Sequence, residues 1–598
     1  MSFIGLMVHR QNVLENGSRT MRRILVSTSV VLALFGSPAW AQTVSATPAR
    51  SAPGHPVHTS TRSTKRSSAA RPNRVKPVAK VQRIEVRGFR IEGVGDYADV
   101  GITPVRIQKF ADTLYAKLGG TSKVPVALSF KQLQSVANAI TTRYRKAGFI
   151  VATAYIPAQK IGAKRLVKIR VLEGKVGKVT VEGAKRYYPW VLAAPARHLT
   201  GQAVRKSTLD SALLYDRDIP GVSVAATLVP GAKLGQTNIL LIAHEEPHPY
   251  HFSVGVNNYG TRYIGLYRIL LGATWDNPLG IGDRLQAMLD YGVDPSQSLY
   301  GTLRYSVPIV RVSGLKAFVG ATRSTLQINN GRFAALHISG PTLSYYGGLN
   351  WKFVNDENLK MQTSLQFIDE QAKVNSQDIQ LSNEQFDVLD LGFGLDQIDR
   401  RFRGIDILQL NVRHSVSGHS LQPDLISPFH TNIFTVGQMS FTRLQFLPDS
   451  QRIYLKFKGQ YTQNVLPPIE QFSIGGPGSV QAYPINSLLT DSGFYTSLRY
   501  RVSAPGFRKM KSPFWGERWG SILNFNAFLQ YARGFYSNND QLGSTKAVSC
   551  TGVGAGLSFH LARFHDFEFR LDYAAPIGLR GISLKHDYQI YSSLSMQF

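Results

Sequence analysis

The sequence predicts two small tandem α/β modules followed by a transmembrane antiparallel β-barrel of about sixteen strands. Three observations point there. Between residues 81 and 246 a strand–helix–strand–strand order occurs twice. From Tyr250 onward helical periodicity disappears, and segments of about ten residues alternate apolar with polar side chains. The last of them, DYQIYSSLSMQF (587–598), sets Tyr588, Ile590, Leu594, Met596 and Phe598 against Gln589, Tyr591, Ser593, Ser595 and Gln597, and stops on an aromatic.

The chain has 598 residues, more than one ordinary domain, and its 43% hydrophobic content suits a folded protein. Its formal charge of +30 is spread along the chain, and no nucleic-acid-binding module accompanies it, so nucleic acid is not an expected partner. The one cysteine, Cys550, excludes a disulfide scaffold and argues against a thiolate metal site. With no His or carboxylate pattern beside it, it reads as a packing residue rather than a nucleophile. Residues 1–20 read as an upstream extension. From Met21, MRRILVSTSVVLALFGSPAWAQ has a basic start at Arg22 and Arg23, an apolar stretch from Ile24 to Phe35, and an Ala39-Trp40-Ala41 cleavage signal. This is a secretory signal peptide over 21–41; a membrane-spanning helix needs about 20 apolar residues. No later stretch reads as such a helix. A barrel stays open, because its strands carry only alternation.

Residues 42–81 follow as a disordered basic linker. The stretch 42–80 holds eight Lys or Arg and no Asp or Glu, among Ser, Thr, Ala and Pro, and has no apolar face to bury. The first module spans 82–174. VQRIEVRGF (81–89) is a strand ending at a turn glycine. LSFKQLQSVANAITTRYRKAGF (128–149) is a helix with Leu133, Val136, Ile140 and Tyr144 on one face and Gly148 as its stop. IVATAYIP (150–157) and RLVKIRVLEG (165–174) supply two strands. The second module, 175–246, repeats the plan with KVTVEGA (178–184), a helix at STLDSALLYD (207–216), and strands at VSVAATLVPG (222–231) and TNILLIAHEE (237–246). The barrel occupies 247–598. YHFSVGV (250–256) places Tyr250, Phe252, Val254 and Val256 on one face. DFEFRLDY (566–573) places Phe567, Phe569, Leu571 and Tyr573 opposite Glu568, Arg570 and Asp572. Three charges on the hidden face suit a wet or mutually paired lumen and not a dry sandwich core.

Two motifs invite chemistry and fail on context. HEEPH (244–248) matches the zinc-protease pattern, but that chemistry needs both histidines on one helix, and Pro247 after a strand pattern denies it. FSIGGPGSVQAY (472–483) has the glycines of a phosphate loop without its lysine or following helix. No catalytic constellation and no cofactor site emerges.

Taken together, these features resemble the two-partner secretion transporters, the hemolysin secretion/activation family of outer-membrane proteins. YRKAGFIVATAYIPAQKI (144–161) with VKIRVLEGKVGKVTVEG (167–183) is similar to the family's POTRA module, through Tyr144, Arg145, Gly148, Tyr155, Pro157, Gln159, Glu173 and Gly174. DNPLGIGDRLQ (276–286) resembles its first barrel hairpin, and TGVGAGLSF (551–559) with LDYAAPIG (571–578) its final strands. The resemblance implies that Tyr144, Arg145, Gly148, Phe149, Tyr155, Pro157 and Gln159 meet the secreted partner, and that Phe598 is the barrel's C-terminal signal. It also gives FSIGGPGSVQAY a place: a loop folded inward from the outside with its tip in the lumen, carried by Gly475, Gly476, Val480, Gln481, Ala482 and Tyr483. The family's loop core is Val-Arg-Gly-Tyr, its arginine paired with an acid on a wall strand reading Phe-x-Asp-x-Gly. Here the loop reads Val480-Gln481-Ala482-Tyr483, and the wall strand AFLQYARG (527–534) supplies Phe528, Gln530 and Ala532. Both partners of an ion pair are replaced by glutamine, so the two amides are expected to face each other. Losing both charges together avoids stranding one in a partly dry lumen.

The implied function is a monomeric pore in the outer membrane of a Gram-negative bacterium, with its POTRA modules in the periplasm. It would recognise a large hemolysin- or adhesin-like exoprotein by strand addition and pass it to the cell surface. A barrel-assembly factor is the alternative, although such factors usually carry more modules. A passive porin would have no modules, and an enzyme would need a site that is missing here.

Overall fold

The computed structural model describes residues 83–598 apart from 122–123, 262, 264, 294–297, 329–336, 378, 421–430, 538–546 and 579–587. The signal peptide and linker expected at 21–41 and 42–81 lie outside the described residues.

Each module is a three-stranded sheet covered by two helices. In the first, Gly88–Glu92 runs parallel to Leu166–Leu172, and Thr153–Tyr155 pairs antiparallel with its other side. A separate ribbon joins Arg83–Val86 to Val126–Ser129. Helix α1, Pro104–Lys117, begins with Thr103 accepting from the Arg106 amide and a proline in its first turn. The sequence reading missed it, although Ile107, Ala111 and Tyr115 recur at a spacing of four and are its buried face. Helix α2, Phe130–Lys146, is opened by a capping box between Ser129 and Gln132. It buries Leu133, Val136, Ala137, Ile140 and Tyr144, and Gly148 beyond its end adopts φ +93°. In the second module, Lys175–Glu182 lies parallel to Gln236–Glu245, which pairs antiparallel with Val222–Pro230. Its helices are α3, Pro189–Arg197, also missed in the sequence, and α4, Lys206–Arg217. The recurring unit therefore has two helices, where the sequence suggested one.

Sixteen antiparallel strands then close into a barrel, from Tyr250–Asn257 to Gln589–Gln597. Closure pairs Ser253–Asn257 with Ser593–Gln597, and Phe252 and Phe598 exchange backbone hydrogen bonds at 3.0 and 2.7 Å. Tyr250, Phe252, Val254 and Val256 are exposed on the outside. Arg268, Asp290, Arg413, Arg499, Arg570 and Asp572 are buried on the inside. This is the inverted pattern of a barrel with an apolar belt and a polar lumen. Because the first strand leaves directly from the second module, the turns after even-numbered strands lie at the module end.

Candidate functional site

Residues 462–491 connect the eleventh strand, Gln451–Tyr461, to the twelfth, Ser492–Ser503. A connection normally lies on the surface, where its backbone meets water. This one is buried. Val465, Leu466, Ile469, Glu470, Phe472, Ile474, Val480, Gln481, Ala482, Tyr483 and Asp491 are all under 9% exposed. It folds into the lumen, as a short ribbon of Phe472–Ile474 against Leu488–Thr490 with a tip at 475–484.

The tip explains why 472–483 carries no charge. Gly475 and Gly476 adopt φ +107° and +84°, and a Cβ on either would strike Pro484 or Ile485. The Gly476 amide donates to the Tyr483 carbonyl at 2.8 Å, closing the turn. Val480, Ala482 and Tyr483 pack with Phe472, Ile474, Phe528, Ala532 and Cys550 into one buried apolar cluster. The wall makes room for the Ala482 methyl by having a glycine, Gly552, opposite it. A Cβ on Gly552 opposite would lie 2.7 Å from that of Ala482.

Gln481 and Gln530 do meet, but not as amide facing amide. The Gln481 backbone N–H donates to Gln530 Oε1 at 2.8 Å, and Gln530 Nε2 donates to the Tyr495 hydroxyl at 3.1 Å. The Gln481 side chain points elsewhere. Its Oε1 accepts from Arg499 Nη2 at 3.0 Å, and its Nε2 donates to Asp572 Oδ2 at 3.3 Å. Arg499 and Arg570 both reach Asp572, at 3.2 and 2.8 Å, and Arg499 lies 4.3 Å above the Phe528 ring. The wall under the tip thus holds its own cations and its own acid, paired with each other. Sequence reasoning expected the charges of 566–573 in a solvated or mutually paired wall. It did not see that Arg499 and Asp572 form the bed of the loop, because they come from the twelfth and fifteenth strands.

At the root the loop itself brings a charge. Glu470 is fully buried and accepts from Arg413 at 2.6 and 3.2 Å; Arg413 also reaches Asp390 at 3.3 Å. Gln460 Nε2 donates to the carbonyls of Glu470 and Asp491, at 2.8 and 3.0 Å. Asp491, at the far end of the loop, accepts from the Leu466 and Ser537 amides, each at 2.8 Å.

The second module docks on the module-end mouth of the barrel. Asp218, just past α4, receives Lys352 Nζ at 2.5 Å and Asn355 Nδ2 at 3.0 Å, while Lys316 Nζ reaches its carbonyl at 3.0 Å. Burial pushes Asp218 up, but Lys352, Lys360 and Lys316 outweigh it and hold the carboxyl below its usual range. Tyr215 donates to the Lys352 carbonyl at 3.1 Å, and Asn277 to that of Arg186 at 2.9 Å. A cavity of about 230 Å³ lies between the module and the inner wall of the barrel, lined by Val191, Asp218, Arg284, Arg304 and Lys458 among others.

The residues expected to meet a partner in the first module divide. Tyr144 and Phe149 are core residues with no exposed surface, which corrects their expected contact role. The Tyr144 and Tyr97 hydroxyls, at 3.1 and 2.9 Å, and the Gly95 amide, at 2.7 Å, converge on the Glu173 carboxylate. Burial, helped by Glu173, pushes the Tyr97 phenol up to about 12. Glu173 thus ties the start of the module to its helix. Gly148 is the turn beyond α2, and its carbonyl accepts from the Lys206 amide at 2.8 Å, joining the two modules. Gln159 exchanges hydrogen bonds with the backbone of Lys168, both at 2.8 Å, and so continues the sheet edge where Thr153–Tyr155 stops. Arg145 is exposed, and Tyr155 and Pro157 are half-buried, so these remain open to a partner. Phe598 sits at the module-end rim with its ring 4.6 Å from that of His565.

HEEPH lies at the end of a strand, as expected. Glu246, His251 and Asp276 bring ligand-type atoms together, but Arg284 takes both oxygens of Asp276, at 2.5 and 2.9 Å, which makes the group an ion-pair cluster.

The family described as haemolysin secretion/activation protein ShlB/FhaC/HecB matches residues 235–520, and the ShlB-type POTRA domain matches 121–174. The heme/hemopexin transporter protein HuxB of Haemophilus influenzae is 25% identical over 445 residues, covering 72% of this chain and 75% of that protein. The hemolysin transporter protein ShlB of Serratia marcescens is 22% identical, covering 64% and 68%. Among solved structures, CdiB from Escherichia coli superposes with a TM-score of 0.65 at 16% identity, covering 100% of this chain and 99% of that one.

Proposed function

Because the chain belongs to the haemolysin secretion/activation family of outer-membrane two-partner secretion transporters, we propose that it passes one large exoprotein, of the hemolysin, adhesin or heme-carrier-binding kind, from periplasm to cell surface as a monomer. One observation carries this reading furthest: a closed barrel whose lumen holds a segment of its own chain, with a tip that brings no charge of its own. A porin needs no such occupant, and a protein conduit needs one that can leave.

The exoprotein enters unfolded. The exposed edge of the first module's sheet, with Tyr155 and Pro157 beside it, offers strand addition, in which backbone hydrogen bonds give affinity and side-chain pockets give selectivity. The second module sets the path from there to the mouth. The tip at 475–484 then leaves its bed while the root at Glu470 stays. Folding of the cargo outside draws it through.

Deleting the gene in a strain that encodes a large exoprotein beside it should leave that exoprotein in the periplasm, and re-expression should return it to the surface. Unchanged export without the chain, together with loss of other barrels from the membrane, would favour the barrel-assembly reading instead.

A further inference from the structure

The turn between the twelfth and thirteenth strands, 504–522, is out of proportion to its neighbours. The other described module-end turns have three to seven residues, from 356–358 to 277–283; this one has nineteen and reads APGFRKMKSPFWGERWGSI. It is an ordered element. The Trp519 amide donates to the Met510 carbonyl at 3.0 Å, Gly520 to Arg508 at 3.0 Å, and Ser512 to Glu517 at 2.7 Å.

The turn folds outward. Phe514 packs edge-on against Phe559, with centroids 5.3 Å apart, and Phe559 against Phe567 at 6.3 Å. Phe559 and Phe567 stand on the lipid side of their strands, alternate to the lumen-facing Ser558 and Arg570. The turn therefore lies over the outer wall of the barrel at its module-end rim. Trp515 stacks on Phe564 with centroids 6.2 Å apart. Met510, Trp515 and Phe564 are 61%, 54% and 41% exposed. A water-facing turn has no reason to display these side chains, whereas the membrane boundary is where tryptophan belongs.

The cations of the turn fall into two groups. Arg508 is matched by Asp449 at 2.8 Å, and Arg563 beside the turn by Glu517 at 3.3 Å. Lys509, Lys511 and Arg518 are exposed and make no ion pair among the described residues. Three unmatched cations thus ring an exposed apolar patch continuous with the lipid-facing wall.

We propose that this turn is a binding site for anionic glycerophospholipid head groups in the periplasmic leaflet. Met510, Trp515 and Phe564 enter the acyl boundary, and Lys509, Lys511 and Arg518 meet the phosphates. Each cation near such a surface contributes about 1 kcal/mol, or about fivefold in lipid preference. The site fixes the depth and rotation of the barrel, and with it the modules hung beneath.

The test uses the full chain in vesicles in which either phosphatidylglycerol or phosphatidylcholine carries brominated acyl chains. Brominated phosphatidylglycerol should quench tryptophan emission more strongly than brominated phosphatidylcholine at equal content. Trp515→Phe should remove that difference, and Lys509→Gln/Lys511→Gln/Arg518→Gln should equalise the two lipids while leaving heat-modifiable barrel mobility intact. Equal quenching by both lipids in the unaltered chain would overturn the proposal. So would aqueous iodide reaching Trp515 in vesicles, which would leave the patch to a protein partner.

Discussion

The inward segment is held at two places by different physics. At the root, Glu470 carries a full charge into the wall and meets Arg413, both with no exposed surface. At the tip, Gln481 brings only an amide and a backbone N–H, and the charges it touches, Arg499, Arg570 and Asp572, already pair among themselves. Pulling Glu470 out would leave the buried Arg413 guanidinium with Asp390 alone, at a cost of several kcal/mol. Pulling Gln481 out breaks one neutral hydrogen bond worth about 1 kcal/mol and two to charged partners worth about 1.5–3 kcal/mol each, but strands no charge and leaves the wall's ion pairs intact. The root is an ionic hinge, whereas the tip brings no charge of its own.

The largest effect is expected where that contrast is broken at the hinge. Arg413→Gln leaves Asp390 and Glu470 without their cation, and should destabilise the loaded barrel by about 3–5 kcal/mol. Loss of heat-modifiable mobility and raised single-channel conductance would report it.

A buried carboxyl with no partner among the described residues gives the opposite limit. Asp216 on α4 has no exposed surface and no hydrogen bond on either oxygen, and burial pushes its carboxyl up to about 8. A folded pKa above the unfolded one means stability that is full below about pH 4 and lost as pH rises through about 8. Asp216→Asn should therefore stabilise the second module at pH 7 by a few kcal/mol, at about 1.36 kcal/mol per pKa unit, and flatten its dependence between pH 4 and 8. Pulse proteolysis of the full chain across that range measures it.

At the tip the expected effects are smaller and mainly steric. Gly552→Ala should push the loop off the wall by about 1–3 kcal/mol, and Ala482→Gly in the same chain should restore much of the loss, read as channel open probability. The polar contacts separate more finely. Gln481→Ala keeps the backbone N–H that Gln530 accepts, so Gln481→Ala and Gln530→Ala should add within about 0.5 kcal/mol. Gln481→Ala with Asp572→Asn should instead couple by about 1 kcal/mol. The reverse order of couplings would mean that the two glutamine side chains face each other after all.

Much of this architecture was legible because it rests on local periodicity. The outward face of Tyr250, Phe252, Val254 and Val256, and the closing strand to Phe598, follow from alternation alone. The inward loop was legible through its glycines and the family's motif order. Helices α1 and α3 were missed because α1 carries a three-residue apolar stripe, and α3 holds an internal Pro195 that speaks against a helix. Tyr144 and Phe149 were given a contact role because a motif marks both fold and function with the same letters; burial separates the two. Arg499, Asp572 and the Arg413–Glu470 pair were invisible because the barrel brings together residues 73 and 57 positions apart.

Cargo can pass only if the tip leaves its bed while the root stays. Ala482→Cys with Gly552→Cys, in a Cys550→Ser chain, places two thiols where the tip touches the wall. The expected result is that oxidation, verified by mass spectrometry of the linked peptides, stops exoprotein release and that reduction restores it in the same cells. Release at the full rate with the link intact would contradict the account.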